Sequence, residues 1–378
     1  KEIMSNERKV LIYGASGYTG KIIAESLAQR HIPFYMAGRT LSRLEQARKI
    51  VEERFGGPVD AELVAASNTP EELRPLFEKV DIVINVAGPF MQVAWPVVET
   101  ALECNCHYTD TTGEQDWTIA IAEKYGQAFA DKGLLLAPAT SYMWTAGALA
   151  AEVVLENEGI DSLDIVYQID NGLPSEASTK SFLRRICGDQ FYLDQNEYSP
   201  WAWDSLVNVN VPYRGMSFRA FPWGGACEPV WYKDDPRVRN CSVLTAFGEH
   251  MVDGIAAAIE KFREEAAHLS AEEKEAFTNA MGDAMDTGEP PKDTVDVQRS
   301  VIIASGQGQQ VTNQYVMNLS APYTWTGEIS AEVARLLLEG KLEKPGFQSA
   351  ATAFNHRELI ATFHELGFTS ALPEPGSL

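Results

Sequence analysis

The feature that most constrains the fold is a glycine turn set between a strand and a helix near the start of the chain. Residues 9–13 (KVLIY) form a short run rich in β-branched residues, GASGYTG follows at once, and KIIAESLAQR then carries apolar residues at helical spacing. This is the layout of a dinucleotide-binding fold, in which the glycines do separable work. Gly14 permits the tight turn, Gly17 lets the backbone approach a pyrophosphate, and Gly20 allows the helix to pack closely on the strand. The helix start offers N–H groups and the positive end of its dipole to phosphate. A glycine turn alone is weak evidence, but the strand before it and the helix after it supply the context the motif needs.

The next segments extend the pattern. Residues 33–37 (PFYMA) read as a second strand ending in Gly38-Arg39-Thr40, close to the distance where an acidic residue would otherwise take a ribose 2′-hydroxyl. A guanidinium bonds a 2′-phosphate in forked geometry where a carboxylate would repel it, so NADP(H) is expected rather than NAD(H). Arg43, in the helical stretch LSRLEQARKIVEERF, is a second candidate cation for that phosphate, or else a solvated helix residue. Residues 80–86 (VDIVINV) read as a third strand leading into Ala87-Gly88-Pro89-Phe90, then a helix with Pro96 near its first turn. The backbone beyond such a strand lies beside the nicotinamide, so Gly88, Pro89 and Phe90 are expected to shape that pocket, with a plain core role as the alternative for Phe90. Residues 107–110 and 134–137 read as the fourth and fifth strands.

Taken in order, GASGYTG, AGRTLSRL, NVAGPF and HYTDTTGE resemble the saccharopine dehydrogenase-like oxidoreductases, a family that includes saccharopine reductases and trans-acting enoyl reductases. These segments cover about the first third of the chain, and the ordered set is far more specific than any one of them. The resemblance implies an NADP(H) site formed by Gly14, Ser16, Gly17, Tyr18, Thr19, Arg39, Ala87, Gly88 and Pro89. It also implies that the closing helix returns to the nucleotide domain. Beyond the fifth strand the chain departs from the family: PATSYMW (residues 138–144) stands where many relatives have an aspartate and a proline-serine-aspartate run. Saccharopine itself is not the expected substrate, because an anionic adduct calls for a basic cluster in the second domain, where basic residues are sparse.

A long helix from about Thr145 leaves the nucleotide domain, followed by a strand at 163–169. Residues 296–319 read as two strands around Gly306-Gln307-Gly308, a hairpin signal. Between them lie helices at 248–268 and 271–284, the second with Ser270 and Glu273 at capping-box spacing, and a loop at 286–293. Helices at 330–339 and 356–366 close the chain, the latter capped by Asn355 with Glu358 and stopped by Gly367. The expected fold is therefore α/β, a Rossmann-type doubly wound parallel sheet with a second α+β domain containing an antiparallel sheet. The expected divisions are an NADP-binding domain at 4–142, a substrate and dimerisation domain at 143–342, and a C-terminal return onto the first domain at 343–378.

Composition bounds the function. With 31 basic and 53 acidic residues the net charge is −22, a field that repels a nucleic-acid backbone. No stretch approaches the roughly 18 uncharged apolar residues of a spanning helix, and the start, KEIMSNERK, is polar rather than a signal peptide. Lys1 to Ile3 precede Met4 and are read as foreign to the native start, and the odd count of five cysteines fits a reducing compartment; a cytoplasmic protein is expected. Between residues 191 and 232 about a quarter of positions are aromatic against 10% overall, among them Tyr192, Trp201, Trp203, Tyr213, Phe221 and Trp223. Such residues suit a large apolar pocket, or alternatively a core or dimer face.

Cys104-Asn105-Cys106-His107 is spaced too tightly for an ordinary four-ligand metal site and no second cluster follows, so no metal is expected. No Ser-His-Asp order or nucleophile elbow is present. Hydride transfer requires none, since the cofactor carries the hydride and the protein supplies position and a proton. The candidate proton donors are Tyr142, after the fifth strand, and Lys180, in STKS; the alternatives are a cofactor-lining tyrosine and an ordinary surface lysine. Asp110 and Glu114 are expected to brace their loop. The expected function is NADPH-dependent reduction of a polarised double bond in a bulky apolar small molecule, an activated C=C first and a C=N or ketone second. A non-catalytic NADP(H)-binding scaffold or sensor is the alternative, and a homodimer is the base-rate expectation.

Overall fold

The computed structural model describes residues 7–212, 214–285 and 288–370; Tyr213, the start of the 286–293 loop and Lys1 to Ile3 lie outside the described residues. The chain divides into two compact units. The first comprises residues up to Thr112, Ala120–Tyr142 and Tyr323–Phe354; the second comprises Gly113–Ile119, Met143–Pro322 and the residues from Asn355 onward.

In the first unit, strands and helices alternate: β1 (Val10–Tyr13), α1 (Tyr18–Gln29), β2 (Phe34–Gly38), α2 (Leu41–Phe55), β3 (Ala61–Ala65), α3 (Pro70–Phe77) and β4 (Ile82–Asn85). Then come α4 (Phe90–Val93), α5 (Trp95–Glu103), β5 (His107–Asp110), α6 (Gln115–Asp131) and β6 (Leu135–Ala137). Strands β1, β4 and β6 are apolar apart from Asn85 at the end of β4, and are buried along their whole length, as a parallel sheet covered by helices requires. All pairs in this sheet are parallel, in the order β3-β2-β1-β4-β5-β6, which reverses direction at β1 and β4 and marks the switch point of a Rossmann-type fold.

The second unit holds α7 (Tyr142–Leu155) beyond Tyr142, β7 (Ile160–Asp170), α8 (Glu176–Arg185), β8 (Phe191–Asp194), β9 (Glu197–Pro200), β10 (Val207–Val211) and β11 (Met216–Ala220). It continues through α9 (Glu228–Trp231), β12 (Asn240–Ala246), α10 (Glu249–Glu265), α11 (Ala271–Ala284), β13 (Arg299–Gly308) and β14 (Thr312–Leu319). Met143 and Trp144 are non-helical, so the regular part of α7 starts at Thr145. The capping box opens α11 as expected. The hairpin of β13 and β14 is antiparallel, but its turn falls after Gly308 rather than around Gln307, because β13 runs on through the glycines to pair with β7. The sheet is mixed: β12 lies parallel to β7 while the remaining neighbours are antiparallel.

The end of the chain differs from the expected divisions. The helix α12 (Pro322–Leu338) starts eight residues before the expected 330–339 helix, and it belongs to the first unit with β15 (Gly346–Phe347) and α13 (Ala350–Ala353). Two observations give the reason. Gly346 N–H donates to Leu134 O at 2.7 Å, so β15 adds a parallel strand beside β6. On α12, Gly327 lies so close to α1 that a Cβ there would meet Ile22 Cγ2 at 2.7 Å, and Arg30, the C-cap of α1, forms ion pairs with Glu328 at 2.7 Å and Glu332 at 3.1 Å. The closing α14 (His356–Glu365) and β16 (Thr369–Ser370) belong instead to the second unit: β16 pairs with β14, and Glu156 accepts from Arg357 Nε at 2.8 Å. The expected return of 343–378 therefore splits at Asn355. The cap of α14 is as expected, with Asn355 accepting from the Glu358 N–H and Gly367 at φ +82° ending the helix.

Candidate functional site

The glycine turn sits at the switch point. Gly14 has φ +85°, and a Cβ there would lie 2.9 Å from the Ala87 backbone nitrogen, so the loops after β1 and β4 approach as only glycine allows. Its N–H and that of Ala15 both donate to Ala37 O, at 2.9 and 3.0 Å, tying the turn to β2. Gly20 packs against the turn itself: a Cβ would come within 2.8 Å of Ala15 Cα and O. Gly17 is different, since a Cβ would meet only Gly14 O, at 3.5 Å, and it is exposed. It is also the N-cap of α1, with no side chain to cap the helix start. Two glycines serve packing and the third keeps side-chain bulk away from the start of α1, the arrangement that fits a pyrophosphate. Lys21, which the motif reading did not single out, adds a cation at the turn, its Nζ donating to Ser16 O at 3.1 Å and Gly17 O at 3.2 Å.

Arg39 and Arg43 follow β2 on exposed ground and form no ion pair among the described residues. Burial pushes the Tyr13 phenol up, and the Arg39 charge opposes that rise, which places a positive field at the end of β1 and β2. Of the other expected contacts, Ser16, Thr19, Ala87, Gly88 and Pro89 keep accessible surface, whereas Tyr18 is 6% and Phe90 5% exposed. Tyr18 packs its ring edge-on to Tyr323 of α12, with centroids 4.8 Å apart, and the Phe90 ring lies against Gly88. Both aromatic rings are core side chains, each on the first residue of a helix, α1 and α4.

A buried chain of hydrogen bonds joins the loops at the carboxyl ends of β4, β5 and β6. Asn85 Oδ1 accepts from the Ala87 N–H at 3.1 Å, its amide donates to Tyr108 Oη at 3.1 Å, and Tyr108 donates to Asp110 at 3.0 Å. The other Asp110 oxygen accepts from the N–H groups of Thr112 and Ala139, at 3.1 and 2.9 Å. Asp110 thus braces loops, and Asn85 and Tyr108 work with it. A polar residue, Asn85, ending an otherwise apolar strand was the signal for this network. Ala139 has φ +50°, and the segment after β6 is pinned further by Ser330 Oγ donating to Thr140 O and by Thr326 Oγ1 accepting from the Tyr142 N–H. Tyr142 is 2% exposed and meets Trp325 edge-on at 6.3 Å.

Lys180 lies in the second unit on α8. Its ammonium contacts Glu176 at 2.9 Å and Asp283 at 3.2 Å, and these carboxylates hold its pKa above the usual lysine range. A lysine that exchanges protons near neutrality needs the opposite shift, so this side chain has the surroundings of a structural ion pair. Glu114 accepts from buried Arg184 at 3.0 Å and from Ser181 Oγ at 3.2 Å; it braces, as expected. Cys106 Sγ lies 3.3 Å from Phe77 O and from Val80 O, and burial pushes its thiol up to about 12. His107 Nδ1 accepts from the Leu135 N–H at 3.0 Å. Both side chains are engaged in packing the sheet.

The aromatic segment divides. Phe182 stacks on Trp223 at 4.0 Å, and Phe221 and Phe247 join them in a largely buried cluster. Tyr192 with Trp201 and Phe191 with Tyr198 form half-buried pairs, while Trp203 is exposed beneath the Arg263 guanidinium.

Comparison with known families gives two matches. Residues 10–133 match the saccharopine dehydrogenase NADP binding domain, and residues 145–373 match a family of unknown function, DUF5938. The second match covers more than half the chain, so the chain belongs to the DUF5938 family, with an NADP-binding domain of the saccharopine dehydrogenase type at its N-terminal side. Similar curated proteins include "Lipid droplet localized protein" of Caenorhabditis elegans, 28% identical over 35% of this chain and 33% of that protein. "Saccharopine dehydrogenase-like oxidoreductase" of Mus musculus is 26% identical over 34% of this chain and 32% of its own length. "Trans-acting enoyl reductase" of Mycobacterium ulcerans (strain Agy99) is 26% identical over 34% and 30%. The matched region thus spans about a third of these relatives. No helix among the described residues is long and apolar enough to cross a membrane.

Proposed function

We propose that the protein is an NADPH-dependent reductase of a polarised double bond in a bulky, uncharged substrate, an activated C=C before a C=N or ketone. The observation that carries the reading is the exposed glycine start of α1 at Gly17, after β1, together with two exposed arginines after β2, Arg39 and Arg43, with no ion pair among the described residues. When bound, the dinucleotide supplies a hydride. The chain's own residues bind and orient: the first turn of α1 holds the pyrophosphate, Arg39 and Arg43 select the 2′-phosphate, and the Ala87–Pro89 loop, fixed through Asn85, lines the nicotinamide. Tyr142, in the segment held by Asp110 and α12, is the proton donor in this reading; Lys180, locked between two carboxylates, is not.

An uncharged substrate is favoured because the buried arginines of the second unit, Arg184 and Arg185, are already engaged by Glu114 and Asp116. The half-buried aromatic pairs on β8 and β9 supply apolar surface of the right kind. The relatives described as oxidoreductase and enoyl reductase support the class of reaction. A reducing, cytoplasmic setting belongs to the same reading, since all five cysteines are free. The test is NADPH oxidation by the purified protein against a panel of bulky enones, imines and ketones. Enone-dependent oxidation supports the first choice, oxidation by another class selects the second, and tight NADPH binding without turnover moves the protein to a scaffold or sensor.

A further inference from the structure

The second unit contains a buried acid that the proposed chemistry does not use. Glu228, the first residue of α9, is fully buried, as are Tyr167 of β7 and Trp144. The Tyr167 hydroxyl lies 2.6 Å from Glu228 Oε1 and 2.9 Å from the Trp144 carbonyl oxygen, and it accepts from the Gly147 N–H at 2.7 Å. A phenol has one proton to give and lone pairs to receive. Gly147 N–H can only donate and the Trp144 carbonyl can only accept. With the phenolic proton on the Trp144 carbonyl, the remaining 2.6 Å contact is a hydrogen bond only if the carboxyl group is the donor. An ionised Glu228 would leave two acceptor oxygens competing for a single proton inside the protein, where an unmade bond is costly.

We propose that Glu228 is a positioning residue that works as a neutral carboxylic acid: its proton goes to Tyr167, which frees the phenolic proton to hold the Trp144 carbonyl at the entrance to α7. The surroundings agree. The groups that face it include Tyr167 of β7, the Gly147 N–H of α7 and the backbone N–H groups of Cys227 and Glu228. From β12 comes the thiol of Cys241, raised well above its usual range by burial and by the nearby Glu228 and Asp164. No cation of the described residues offsets the burial of the Glu228 carboxyl, which outweighs the hydrogen bonds it receives and pushes it up to about 8. The contact leaves room only for glycine on α7: a Cβ on Gly147 would sit 2.3 Å from Glu228 Oε1 and 2.4 Å from Tyr167 Oη. Trp144 directly follows the 138–143 segment, so any effect on turnover rests on the proposed reductase function, whereas the protonation state does not.

The experiment therefore has two parts on the full chain. Infrared spectra of wild type, recorded from neutral to alkaline pH, should show the carbonyl band of a buried protonated carboxylic acid, lost on raising the pH and missing from Glu228→Gln. Tyr167→Phe should shift that band to the position of a weakly hydrogen-bonded acid. A wild-type spectrum without the band at neutral pH overturns the proposal. In NADPH oxidation, kcat of wild type should fall on the alkaline side, and Glu228→Gln, whose amide donates in the same place, should lose that fall. An identical alkaline fall in both proteins overturns the positioning role. Failure of every substrate to oxidise NADPH overturns the reductase reading alone, and an acid band seen in that case supports the neutral-acid assignment.

Discussion

Replacing Glu228 by glutamine should change how stability depends on pH. In the unfolded chain the glutamate titrates near 4.5, and in the folded protein at about 8. Between those values the folded protein keeps a proton that the unfolded chain has released, so stability falls as pH rises through this window. The contribution is fully present below the unfolded value and gone above the folded one. At roughly 1.4 kcal/mol per pH unit, the rise from about pH 5 to about pH 7.5 removes ~3 kcal/mol from wild type. Glutamine has nothing to titrate and reproduces the donor, so the variant keeps that ~3 kcal/mol. The assay is urea unfolding of both proteins at a series of pH values, following the transition of the second unit, with the difference plotted rather than either curve, because other groups titrate in both. A difference that grows with pH to a few kcal/mol is expected. A difference that stays constant from pH 5 to pH 7.5, to within about 0.5 kcal/mol, would refute the neutral-acid argument.

Two further substitutions probe the site. Gly20→Ala drives a methyl group to 2.8 Å from Ala15 Cα and O, which are backbone and cannot swing aside. It should cost about 1–3 kcal/mol of stability, seen as a lower midpoint in thermal unfolding, and weaken NADPH binding with it. Lys180→Met should change stability by no more than about 1 kcal/mol, as expected for a partly exposed ion pair, and leave kcat for NADPH oxidation within a factor of two or so. A large loss of kcat would return Lys180 to the list of proton donors.

The first unit was legible in sequence because β1, β4 and β6 are almost wholly apolar and the turns at Gly14 and Gly88 follow β1 and β4. The strand that escaped, β3, is an edge strand of sequence AELVA with half-exposed or exposed residues along its length, and its apolar run is short and interrupted at the start by Glu62. The helix α12 was read short and placed in the other domain. Its sequence carries buried carboxylates, Glu328 and Glu332, that look like solvent-facing residues until Arg30, some three hundred positions earlier, is seen to neutralise them. The same blindness hid Glu228, since an acid in sequence reads as surface and only the fold shows it enclosed beside Tyr167. Lys180 is the opposite case. Its place in a polar run suggested chemistry, and the two carboxylates that hold it, one from α8 and one from α11, come together only in the folded chain. The cofactor loops were the easiest to read because strand, turn and helix are local in sequence.

The most direct test of the central claim is a pair of binding titrations, NADPH and NADH, on wild type and on Arg39→Asp. Charge-assisted bonds to the 2′-phosphate contribute about 1.5–3 kcal/mol, so wild type should bind NADPH roughly ten- to a hundredfold more tightly than NADH. The variant should lose that preference while keeping most of its affinity for NADH. Equal affinities in wild type, or equal losses for both dinucleotides in the variant, would contradict the assignment of Arg39, and no binding of either would contradict the glycine cradle itself.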